Sequence, residues 1–135
     1  MDIITIASKV VKFVFPFIQK EFSDTKIEDL PVELNSKLSS FWKWLKRFFI
    51  EEKQEEIVNK IEAKPNDIAN QKLFESFLFL KLQNDTFKND LIKWLNDLEN
   101  IDNKYGNKIS SITTIGNNNK NFQNFNAGRD NIIKS

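Results

Sequence analysis

The sequence predicts an all-α protein: a small helical bundle preceded by an apolar, amphipathic helix and followed by a short β-prone or disordered tail. Three observations carry that expectation. Apolar residues recur at steps of three and four through most of the first 101 positions, the spacing that gathers side chains on one helix face. The glycines, Gly106, Gly116 and Gly128, all fall late, so the earlier part lacks a residue that weakens helix interiors. Pro31 and Pro65 stand where the periodic pattern breaks, as helix punctuation does.

The first segment has polar or irregular positions at Asp2, Thr5, Ser8, Lys9, Lys12, Pro16 and Gln19, and is otherwise apolar from Ile3 to Ile18. Steps of three and four place those positions on one stripe. A helix over residues 1–20 would therefore carry a wide apolar face and a narrow one with Thr5, Lys9 and Lys12. Pro16 is expected to end or kink it near Phe15. Residues 21–32 are mixed and predict a connector. A second helix is expected after Pro31, a residue suited to a first helical turn. Its apolar stripe is Leu34, Leu38, Phe41, Trp42, Leu45, Phe48 and Phe49, with Lys37, Lys43, Lys46 and Arg47 on the polar side. Trp44 falls off that stripe beside Lys43, which makes it a candidate for a partner surface or a membrane interface.

The acidic run from Glu51 continues or restarts the helix, with Ile57, Val58 and Ile61 inward. Lys64-Pro-Asn-Asp67 is a break and a new start, followed by Leu73, Phe74, Phe77, Leu78 and Leu80. Asn84-Asp85 supplies an N-cap, and Phe87, Leu91, Trp94, Leu95 and Leu98 line the next helix, completing an αα-hairpin. Residues 33–101 thus predict the bundle. Composition changes near Asp102, and residues 102–135 form the tail. There β-branched Ile109–Ile115 and Ile132-Ile133 flank an Asn/Gly-rich stretch with Phe122 and Phe125 inside it.

Residue types restrict the chemistry. The chain has no Cys and no His, which removes thiolate nucleophiles, disulfides, and the commonest general base and metal ligand. The carboxylates of Glu51, Glu52, Glu55 and Glu56 fit a solvated helix face, and the late glycines leave no phosphate loop in the helical part. The expectation is a protein that is not an enzyme, with no metal and no cofactor. A net charge of +1 gives no strong pull toward nucleic acid, which ranks last among partners.

The two ends carry apolar groups that a lone copy hides poorly. Ile3, Ile6, Val10, Phe13 and Phe17 are the expected membrane or partner contacts, with Lys9 and Lys12 on the narrow face. About 15–17 residues at ~1.5 Å each span roughly 25 Å, short of a ~30 Å hydrocarbon core. A single inserted helix would hold its lysines at a cost, whereas a ring of helices could turn them toward water, and a helix lying flat could turn them toward headgroups. The competing expectation is that this helix fills a core. It does not read as a secretory signal, because its basic residues lie inside the apolar stretch. In the tail, Asn118 and Asn124 can form amide ladders between identical chains, with Ile112, Ile115, Phe122, Phe125 and Ile132 stacked alongside. The competing expectation there is a disordered polar terminus.

The stretch from Lys64 to Leu78, followed by Asn84 to Leu91, resembles a small bacterial helical domain in which an apolar N-terminal segment often comes first. The tail, Gly116-Asn-Asn-Asn and Asn124-Phe-Asn-Ala-Gly-Arg-Asp-Asn-Ile132, resembles the Gly/Asn-rich amyloid-like or β-stack motifs of antiphage and other conflict-system proteins. The tail is one short unit rather than a long repeat. The resemblance implies a non-enzymatic, homo-oligomerising defence-type effector that acts on a membrane through its N-terminal helix. It would be cytoplasmic and recruited to the inner membrane on assembly. Its partners would be itself, the lipid membrane and a protein of the same operon. The alternative is a soluble oligomerising adaptor or scaffold whose N-terminal helix packs on its own bundle or on a partner protein.

Overall fold

The structure, a computed structural model, describes residues 2–25 and 29–109. Among the described residues the protein is all-helical, with five helices and no strand: α1 (Ile3–Phe22), α2 (Val32–Glu51), α3 (Glu55–Ala63), α4 (Ile68–Lys81) and α5 (Asp85–Lys104). Three of them start on side-chain caps that satisfy free backbone N–H groups. The Asp2 carboxylate accepts from Thr5 N at 2.8 Å, Asp67 from Ala69 N at 2.9 Å, and the Asn84 side-chain oxygen from Phe87 N at 2.9 Å. Pro31 takes the cap position of α2 and makes no side-chain cap.

The acidic run restarts rather than continues α2. Lys53 adopts φ +64°, its N–H reaches Ile50 O, and Gln54 N reaches Phe49 O. That pair of bonds around a left-handed residue is a Schellman ending, and it reverses the chain into α3. The same device closes α5. Gly106 has φ +82°, its N–H donates to Asn103 O, and Asn107 N donates to Asp102 O at 2.7 Å. The chain then turns back so that Ile109 is fully buried, with its N–H held by the buried Asp102 carboxylate at 2.8 Å.

Helix α1 packs against α2, α3, α4 and α5. From Phe13 to Gln19 every residue is buried. A helix apolar on nearly all sides is stable only where it is surrounded, and four neighbours surround this one. The same packing explains Pro16. The helix does not end at Phe15 but runs on to Phe22. A proline in a helix interior costs about 3 kcal/mol, which burial on all sides offsets. Gln19, expected on the polar stripe, is buried as well, and its Oε1 has no hydrogen-bond partner among the described residues.

Along the interior, ring contacts run from Trp94 to Phe41, Trp44, Phe87, Phe48, Phe49, Phe74 and Phe15. Eight of the chain's 17 aromatic residues lie on this path. Edge and offset ring pairs add roughly 0.5–1.5 kcal/mol each beyond area burial. Ion pairs fasten the outside: Lys9–Glu99 at 2.7 Å joins α1 to α5, Lys37–Asp97 and Lys104–Glu33 join α2 to α5, and Lys81–Glu52 ties the end of α4 to the end of α2. Hydrogen bonds from Lys104 and Tyr105 hold the Glu33 carboxyl below its ordinary range.

Candidate functional site

The residues expected to touch a membrane lie inside the protein. Ile6 and Val10 are fully buried, Phe13 and Phe17 are nearly so, and Ile3 is half-buried against the same core. Lys9 is engaged by Glu99, and only Lys12 projects freely to the exterior. In this fold the apolar face of α1 is the interior face of the bundle, so those side chains are not presented to lipid. No described helix is long and apolar enough to cross a membrane. The expected oligomerisation residues Ile112, Ile115, Asn118, Phe122, Asn124, Phe125 and Ile132 lie outside the described residues.

Trp44, the candidate for a partner surface or a membrane interface, lies between α2 and α5. It is half-buried and stacks on Phe87, with ring centroids 5.7 Å apart and planes inclined by 10°. Its position off the α2 stripe faces α5, which sequence periodicity within one helix cannot reveal. With Phe48 and Phe87 it floors an open cleft of about 280 Å³ whose rim carries Arg47, Glu51 and Asp90. Ligand pockets usually begin at roughly 300 Å³ and enclose most of their ligand, and this one is a shallow groove.

Seven carboxylates take part in ion pairs among the described residues. Glu62, for example, accepts from Trp42 Nε1 at 2.8 Å and from Lys46 at 3.1 Å. Among the described residues no group of three His, Cys, Asp or Glu side chains could hold a metal ion.

The feature that stands apart is α4. Phe74 and Leu78 point inward and are fully buried, yet Ile68, Leu73, Phe79 and Leu80 remain 51, 40, 42 and 61% exposed. At 100° per residue these four form two outward ridges, Ile68 with Phe79 and Leu73 with Leu80. Ala69, Lys72 and Ser76 lie between them, all exposed. Ile4 of α1, 66% exposed, extends the first ridge. Between α1 and α4, Ile4, Ala7, Glu75, Ser76 and Phe79 line a cleft of about 340 Å³. Burial among these apolar groups pushes the Glu75 carboxyl up, while Lys72 pulls it slightly back. Neither Glu75 nor Lys72 makes an ion pair within 4 Å among the described residues.

Leu73 and Leu80, apolar residues of the expected helix, lie on its outer face together with Phe79. The signal was present in Phe77-Leu78-Phe79-Leu80. Four consecutive apolar residues on a helix point in four directions, so at least one cannot reach the core. Comparisons with protein-family models, with curated proteins and with solved structures gave no match to this chain.

Proposed function

We propose that the chain is a non-enzymatic scaffold that works by assembling with copies of itself. The observation that carries this is the uncovered apolar surface of α4 and Ile4, on a protein whose first helix is already spent on its own core. Large exposed apolar patches mark interaction sites more often than chance surface. The tail adds a second candidate contact, because its Asn and Phe residues have the composition of stacking segments. The resemblance of residues 64–91 and 116–132 to conflict-system domains supports a defence-type role for such an assembly.

Light scattering across a concentration series tests this. The expected result is a mass above the 15.9 kDa of one chain, rising with concentration, and reduced in the Phe122→Asp/Phe125→Asp chain without loss of helical circular dichroism. A monomer at every concentration contradicts a scaffold role. Unchanged oligomers in the double variant remove the tail from it.

A membrane role is the second proposal, and the apolar run Phe13–Ile18 supports it. It would require α1 to leave the bundle, exposing the core it now fills. Leakage of dye from vesicles, induced by the full chain where it assembles, is the result that role predicts. Intact vesicles favour the scaffold alone.

A further inference from the structure

We infer that the outer face of α4 is a two-fold contact with a second copy of this chain, one α4 lying antiparallel across the other. This rests on the scaffold role proposed above and gives it a specific surface in the helical part, separate from the tail.

The face suits its own copy in size. With side chains of about 200 Å² each, the exposed fractions of Ile4, Ile68, Leu73, Phe79 and Leu80 amount to roughly 500 Å² of apolar surface. Fully covered in both copies, that surface comes to about 1,000 Å², the lower bound for a specific interface. It suits its own copy in shape as well. A two-fold axis at the middle of α4, near Phe74, sets Ile68 opposite Leu80 and the small Ala69 opposite the large Phe79. Apolar ridge side chains then meet across the axis, and the small Ala69 leaves room for the Phe79 ring of the other copy.

The charges complete the match. The same axis brings Lys72 of each copy beside Glu75 and Ser76 of the other. Neither group makes an ion pair among the described residues, and in the pair each gains one, twice by symmetry. Antiparallel helices also place opposite dipole ends side by side. One Lys and one Glu leave the face neutral, whereas a lipid-binding face would carry a belt of Lys and Arg. A second protein copy therefore fits better than an anionic bilayer.

The experiment uses the full chain carrying Phe122→Asp/Phe125→Asp, so that tail stacking does not obscure the count, and measures mass by sedimentation at tens of micromolar. The expected mass is twice that of one chain, falling to one chain when Leu73→Glu/Leu80→Glu are added at their exposed positions. Lys72→Glu alone should weaken the dimer at least tenfold, and adding Glu75→Lys should restore it, which no general loss of folding would reproduce. A dimer that survives Leu73→Glu/Leu80→Glu overturns the α4 contact. So does a tail variant that is monomeric while the unaltered chain assembles, and in that case the scaffold role stands on the tail alone. An unaltered chain that never exceeds one copy overturns both.

Discussion

Replacing Val14 with Asp is expected to abolish the cooperative unfolding transition and leave a chain with little fixed tertiary structure. Val14 is fully exposed to protein and not at all to water, in the stretch of α1 where seven consecutive residues are buried. A carboxylate there meets neighbours that are mostly apolar. An unpaired ion in such a place costs several kcal/mol even after relaxation, against a total stability of about 5–15 kcal/mol for a domain of this size. The control lies two positions earlier. Lys12 is exposed, and Lys12→Asp should shift stability by only about 0.5 kcal/mol. Far-UV circular dichroism with urea titration of both variants checks the pair of outcomes. Similar, mild effects at the two positions would show that α1 is not enclosed.

Replacing Phe74 with Ala should cost about 3–5 kcal/mol, the range for removing a large buried ring. Phe74 is the ring where α1 and α2 meet α4: its centroid is 5.5 Å from Phe15, 6.0 Å from Trp42 and 5.1 Å from Phe49. Truncation leaves a cavity bordered by α1 and α2 that rigid ring neighbours fill poorly. On the same helix, Phe79 is 42% exposed, and Phe79→Ala should cost less than about 1 kcal/mol in dilute protein, in proportion to the smaller area it buries. Denaturant midpoints for the two variants separate the inward from the outward face of α4. Equal losses would mean that Phe79 is also core.

Much of the helical architecture can be read from local residue chemistry. Asn84 and Asp67 mark helix starts because capping depends on neighbours three residues away at most. Leu34, Leu38, Phe41, Trp42, Leu45 and Phe49 are buried as their spacing predicts. What was not legible depends on which surface covers which. The apolar face of α1 has the same period whether lipid or four helices surround it, so its enclosure follows only from the tertiary packing. Pro16 within α1 is tolerated for that reason and not for any local one. Trp44 lies off the stripe of its own helix because a second helix, α5, approaches from that side. The return of Ile109 to the core depends on Asp102, seven residues earlier and at the far end of a Schellman turn, a pairing that no apolar periodicity encodes. The outer face of α4 is legible only from the direction of each side chain, because hydrophobicity alone does not separate Phe79 and Leu80 from the buried Leu78.

Helix α1 is the enclosed middle of the bundle rather than a detachable arm. Amide hydrogen exchange under native conditions tests it most directly, since protection reports the free energy of opening each segment. The amides from Val10 to Ile18 that donate within α1 should exchange as slowly as those of Leu91 to Leu98 in α5, through global unfolding alone. Rapid exchange throughout α1, with α2, α4 and α5 still protected, would contradict it.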